Sequence, residues 1–223
     1  MRLFWSLQVP VSLPKIQILV QIILFVVGVT FGFTTWAQQE HREYYSNGAL
    51  KGVGNKVNDV KVGEWRYFYP DGKKNAIESY EQGLLHGFIL YYYPNEAVQG
   101  KERWDKGVLT DSAWYYHPNG QIQRKGRYRQ SEYSGTWIHY FDNGVKEREV
   151  TYQQGMPEGI TRVYNDRGIL IQQGYYSKGI EEGAWKFYSE TGELLFEGQY
   201  EQGKPTGVWY QYKQGKKKVY KRY

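Results

Sequence analysis

The sequence predicts an all-β chain. An elongated antiparallel meander of tandem 24-residue hairpins forms a single twisted layer, behind an apolar leader helix. Three observations carry this expectation. The glycine at Gly63 returns as Gly87, Gly135, Gly159, Gly183 and Gly207, with Asp111 in the one gap, at a step of 24 residues. A fixed period of that size is the signature of a repeat architecture. The chain also uses 23 tyrosines, 8 tryptophans and 26 glycines, a mixture that favours strands and tight turns over helices. No stretch after the leader shows helical periodicity.

The leader comes first. Arg2 and Lys15 precede an apolar run from Ile22 to Phe33, followed by Thr34-Thr35-Trp36-Ala37-Gln38. Basic residues, an apolar run and small residues at Thr35 and Ala37 form a secretory signal pattern, with cleavage after Ala37. Extending the run back to Ile16 gives the alternative, a membrane anchor over residues 16–33, since about 18 apolar residues can suffice. Gln17 and Gln21 weaken that alternative. Residues 1–37 are thus a signal peptide or signal anchor, and residues 38–223 the repeat domain. Both readings carry the repeats across a membrane, because the positive charges lie on the N-terminal side. The expected location is periplasmic or extracellular, or membrane-anchored with the repeats outside.

Each repeat then reads as strand, turn, strand, turn. The position four before the turn glycine is aromatic in every copy, from Tyr44 and Phe68 to Tyr188 and Tyr212. The Trp65 column reads His41, Trp65, Ile89, Ala113, Trp137, Thr161, Trp185 and Trp209. Alternate strand residues face opposite ways, so Trp65, Tyr67 and Tyr69 share one face and Phe68 lies on the other. Pro70-Asp71-Gly72 and its counterparts predict hairpins of the type I plus bulge kind, with Gly63 and Gly72 setting chain reversals. Glu96 stands where the other copies place the turn glycine. On the second strand, Gly54, Gly126, Gly174 and Gly198 share parity with Tyr80, Trp104 and Tyr128. A strand glycine can lie beneath a large neighbouring ring, which accounts for small and aromatic columns together. Gln82-Gly83 and its counterparts close the repeat. Roughly fifteen strands about 4.8 Å apart make a ribbon on the order of 70 Å long. No separate layer covers it, so stacked aromatic columns must supply the core.

Composition narrows the function. The chain has no cysteine, which excludes disulfides, thiolate metal sites, a cysteine nucleophile and a lipid-anchoring cysteine. The net charge of +6 is concentrated at the ends, in the leader and in the lysine-rich stretch after Glu201. Between them stand 20 basic and 23 acidic residues. A nucleic-acid binder spreads basic charge along its face, so no nucleic-acid partner is expected. The basic tail could touch anionic lipid weakly. Lysines on a terminal strand also discourage edge-to-edge association, which fits a monomer.

With these columns in view, the chain resembles the bacterial variant of the MORN (membrane occupation and recognition nexus) repeat. The shared pattern is Gly-x-Trp-x-x-Tyr-aromatic-x-x-Gly-x-Leu, then Tyr-x-x-Gly, and it is fullest in Gly63–His86, Gly135–Glu158 and Gly183–Thr206. The resemblance covers about Glu40 to Tyr223. Proteins of that family are often labelled antitoxin components of toxin–antitoxin systems, so the resemblance implies an antitoxin- or immunity-like protein as one reading. The leader favours the other, a non-enzymatic exported scaffold that binds a protein or glycan at the bacterial cell envelope.

No catalytic, cofactor-binding or metal site is expected. His41, His117 and His139 stand in aromatic columns, replacing the equivalents of Trp65, Tyr69 and Tyr67. A flat ring filling a ring-shaped slot explains them. Neither a metalloprotease helix motif nor a phosphate loop nor a nucleophile elbow is present. The copies that break the pattern are better candidates for partner binding. Ala113 and Thr161 replace tryptophan and are expected to leave dips, with Tyr91, Tyr93 and Tyr115 close to the first.

Overall fold

The computed structural model describes residues 39–223, which form one 18-stranded antiparallel sheet. The leader, with its expected helix and its cleavage or anchoring, lies outside the described residues. The first strands are β1 (Gln39–Tyr44), β2 (Leu50–Val57), β3 (Val60–Phe68), β4 (Lys74–Glu81), β5 (Leu84–Leu85) and β6 (Gly87–Tyr92). Then come β7 (Val98–Asp105), β8 (Val108–Tyr116), β9 (Ile122–Arg129), β10 (Glu132–Tyr140), β11 (Lys146–Gln153) and β12 (Met156–Pro157). The last are β13 (Gly159–Tyr164), β14 (Leu170–Ser177), β15 (Ile180–Tyr188), β16 (Leu194–Glu201), β17 (Lys204–Lys213) and β18 (Lys216–Arg222). Strand β4 pairs with both β5 and β6, and β11 with both β12 and β13. Each of those pairs is therefore one strand interrupted, at His86 and at Glu158. The order is a meander of sequential neighbours, as the two-turn spacing requires.

Two turn types alternate. At Pro70-Asp71-Gly72 the Gly72 N–H donates to the Tyr69 carbonyl (2.9 Å) and the Tyr69 N–H to the Lys73 carbonyl (2.8 Å). Gly72 has φ +85°, and the register slips between Tyr67 and Phe68. This is the expected type I turn with a glycine bulge. The Asp71 carboxylate accepts from the Lys73 N–H at 3.2 Å, closing a local side-chain turn. The second turn has only two residues, and both take positive φ: Gln82 at 50° and Gly83 at 80°. That is a type I′ turn, whose twist matches the flanking strands.

Gly63 does not reverse the chain. It lies inside β3, with φ +65°. The register runs from Asn55↔Val62 to Val53↔Arg66, so Gly63, Glu64 and Trp65 together face the single residue Gly54. A bulge of this kind bends the strand and re-aims a side chain. Trp65 is the side chain re-aimed: its indole lies flat on the backbone of Gly54. A Cβ built on Gly54 would fall 2.4 Å from the ring, and the distances at Gly126, Gly174 and Gly198 under Trp137, Trp185 and Trp209 are 2.3, 2.1 and 2.2 Å. In three of the four the indole Nε1 then reaches the next carbonyl: Trp65 donates to Asn55 (3.0 Å), Trp137 to Arg127 (3.0 Å) and Trp209 to Gln199 (3.2 Å), while the Trp185 Nε1 is buried without a partner. These rings are the core; Trp65, Trp137 and Trp185 are at most 2% exposed.

Tyrosines close over the indoles edge-on. Tyr128 and Tyr133 lie 5.0 and 4.4 Å from Trp137, while Tyr176 and Tyr200 lie 5.3 and 5.6 Å from Trp185, all with steeply inclined planes. Tyr133 and Trp137 share β10, and the other three pairs are cross-strand, each contributing roughly 0.2–1 kcal/mol. A further set of side chains ties each repeat to the next. The Tyr45, Tyr69 and Tyr93 hydroxyls donate to the Phe68, Tyr92 and Tyr116 carbonyls at 2.7–2.8 Å.

Glu96 takes the glycine's place in the third of these bulged turns. It occupies the bulge position with φ +64°, a conformation that costs a non-glycine residue about 1–2 kcal/mol. Glu96→Gly is therefore expected to stabilise the domain by about 0.5–1 kcal/mol once the extra freedom of the unfolded glycine is subtracted. Urea unfolding of the two proteins, compared at constant slope, checks this.

Candidate functional site

The copies that lack tryptophan were expected to leave dips. They do not, because the preceding strand fills the space. Ala113 is 0% exposed, Thr161 3% and Ile89 0%. Opposite each, the glycine column is also changed: Glu78 faces Ile89, Glu102 faces Ala113, and Val150 faces Thr161. Wherever the indole is present the partner is glycine, and wherever it is absent the partner carries a side chain. The volume is conserved across the sheet, not within one strand.

At Ala113 the substitution brings a carboxylate into the aromatic face. Glu102 is 9% exposed. Its Oε2 accepts from the Trp104 Nε1 at 2.9 Å and its Oε1 from the Tyr115 hydroxyl. The Tyr115 hydroxyl is also 3.3 Å from that of Tyr128. Burial, with Glu102 and then Glu78 nearby, holds the Tyr91 phenol well above its usual range. The Tyr115 phenol is raised in the same way, by burial first and then by its bond to Glu102. Tyr128 is pushed up to about 12, chiefly by burial. All three phenols stay protonated, and Tyr115 keeps donating to Glu102.

Of the five sequence candidates, the fold brings three together around Glu102: Tyr91, Ala113 and Tyr115. Tyr91 and Tyr115 both face Gly100, from β6 and from β8. A Cβ on Gly100 would meet the Tyr115 ring at 3.1 Å, so the small residue seats the tyrosine as Gly54 seats Trp65. Tyr93 instead belongs to the repeat-to-repeat ties, and Thr161 sits two repeats further on. Glu102 and Trp104 complete the cluster and were not singled out from sequence.

The histidines follow their columns. His117 Nε2 lies 2.9 Å from the Tyr140 carbonyl, the contact that Tyr93 makes to Tyr116 one repeat earlier. His41 lies 6.1 Å from the Trp65 ring. His139 faces Arg124 on one side and Arg148 on the other. Burial, then Arg148 and Arg124, pushes its pKa down to about 4.

Comparison with known families gives one match. The MORN repeat variant model matches residues 61–82, 115–130, 133–154 and 181–202. These are MORN-variant repeats. The intervals that the model passes over hold Ile89, Ala113 and Thr161, the places where the tryptophan–glycine pair is replaced. No curated protein matches. Among solved structures, the chain is similar at 14% identity and a TM-score of 0.19 to the crystal structure of TcdB2-TccC3-Cdc42, covering 78% of this chain. It spans only 13% of that chain. A porin-like protein from Bacteroides uniformis is similar at 12% identity and a TM-score of 0.21, over 84% of this chain and 91% of that one. At such scores neither likeness bears on fold or function.

Two outcomes follow from the geometry. Ala113→Trp alone drives an indole into the space of Glu102 and should cost about 1–3 kcal/mol. Adding Glu102→Gly should recover most of that loss, which a double-mutant cycle on urea unfolding measures. His139 has a folded pKa of about 4, below its ordinary value, so the unfolded chain binds the extra proton between the two. Stability is then fully present above the unfolded pKa and falls as the pH drops from about 6.5 towards 4. His139→Gln should flatten that slope in unfolding curves collected across the window.

Proposed function

We propose that this chain is a non-enzymatic, exported repeat scaffold that holds a protein or glycan partner against its aromatic face at the bacterial cell envelope. One observation carries the reading. The Tyr91–Glu102–Tyr115 cluster puts three polar-tipped side chains on the aromatic face at the copies that depart from the repeat. Tyr91 and Tyr115 are half-buried, and no second layer of the described residues lies over them. Aromatic side chains with a polar tip are the side chains that dominate partner surfaces, because they offer large rigid area at little entropic cost. The leader's signal pattern supports export.

The test is capture from envelope extract with the full chain, run beside Tyr91→Ala and Tyr115→Ala. The partner recovered by the unaltered protein is expected to be lost, or weakened about tenfold or more, in both variants. Undiminished capture by two folded variants would remove this face from consideration.

A further inference from the structure

One row of the aromatic face changes its chemistry part-way along the ribbon. Gly52, Ala76 and Gly100 occupy the position in the earlier second strands, and Arg124 and Arg148 occupy it in the next two. The register sets Tyr115 opposite Arg124, Arg124 opposite His139, and His139 opposite Arg148. Directly opposed residues share a face, so the row crosses β8, β9, β10 and β11 on the aromatic side.

Neither arginine is neutralised. Among the described residues, no carboxylate lies within ion-pair distance of Arg124 or Arg148. The Arg124 guanidinium sits 4.2 Å from the centre of the Tyr115 ring, and its Nε is buried without a hydrogen-bond partner. Arg148 is exposed. Lys146 is the remaining cation of β11 near this row, and it is engaged with Glu149 at 2.9 Å. His139, between the two arginines, is held neutral at physiological pH by burial and by their charges. The row therefore offers two unpaired planar forks, one of them stacked on a tyrosine, around an uncharged imidazole. A half-buried guanidinium left unpaired is costly, and a planar oxyanion satisfies it best.

We propose that Arg124 and Arg148 bind an acidic glycan whose uronate carboxylates recur on every second sugar, laid across β9, β10 and β11 with one ring near Tyr115. This rests on the aromatic face being the partner surface. The spacing selects the ligand. Two strand intervals separate the arginines, on the order of 10 Å, a distance that two linked pyranose rings span. An extended acidic peptide repeats its same-side residues every ~7 Å and falls out of step. A carboxylate bound between the arginines offsets their repulsion of His139, so His139 reports occupancy by a rise in its pKa.

The experiment uses the full chain, with the imidazole signals followed by NMR against pH. Three probes are added in turn: an alternating uronic-acid oligosaccharide, the same oligosaccharide with its carboxyls reduced to alcohols, and poly-glutamate. The proposal expects the uronate probe to bind, to raise the His139 pKa while leaving His41 and His86 unmoved, and to weaken with added salt. Arg124→Gln and Arg148→Gln should each lower its affinity about tenfold or more. Should Arg124→Gln fail to fold, the exposed Arg148→Gln decides alone. Poly-glutamate moving His139 as strongly would overturn the glycan assignment in favour of an acidic peptide. Binding of the carboxyl-reduced probe, undiminished by the arginine variants, would overturn the proposal yet leave a glycan-binding face in place. No binding of any probe, with capture of an envelope partner still dependent on Tyr91 and Tyr115, would overturn it and leave the scaffold reading intact.

Discussion

The structure depends on an indole lying flat on the glycine of the strand before it. A sheet of one layer has no opposite layer against which to bury apolar area. Here burial is obtained within the sheet, by covering backbone with ring. Two features must coincide for that contact, and a third supports it. Gly54 must lack a Cβ, because one would sit 2.4 Å from the Trp65 ring. Gly63 must take φ +65° so that the bulge swings Trp65 back over the neighbour. At Trp65 the buried Nε1 also finds a carbonyl, that of Asn55 at 3.0 Å, whereas the Trp185 Nε1 is buried without a partner. The tyrosine columns then only have to close the edges of rings already in place.

The ties between successive turns act on a longer scale. Tyr45, Tyr69, Tyr93 and His117 each reach a carbonyl 23 residues further on. The Asn119 and Asn143 amides do the same from the turns, donating to the Asp142 and Asp166 carbonyls at 2.7 and 3.0 Å. A chain of nearest-neighbour contacts tends to melt piecemeal. Bonds that span a whole repeat couple each unit to the next and oppose that tendency.

Much of this was legible in the sequence, because it is local. The period, the two faces, the bulged type I turns and the pairing of small with aromatic columns all follow from spacing and parity. The described residues form sixteen full strands where spacing predicts roughly fifteen, the two stubs at Leu84–Leu85 and Met156–Pro157 being broken ends of β6 and β13. What escaped was the relation between columns. Reading the Trp65 column alone suggests a dip at Ala113. Reading it together with the Gly54 column shows Glu102 in the paired place, eleven positions earlier on the preceding strand. Gly63 departs from its expected role as a reversal for a related reason: a positive φ within a strand and one at a turn demand the same residue.

The paired columns also constrain how such a chain can be lengthened or shortened. Every junction between a second strand and the following first strand carries one of two states, glycine then indole, or a side chain then something smaller. Excising whole repeats so that β9 with Gly126 met β15 with Trp185 would join matching states. Joining β7 with Glu102 to β10 with Trp137 would press a carboxylate into an indole. Copies that look interchangeable by their period are thus exchangeable parts of only two kinds. The three irregular junctions, at Ile89, Ala113 and Thr161, are fixed punctuation in an otherwise extensible series.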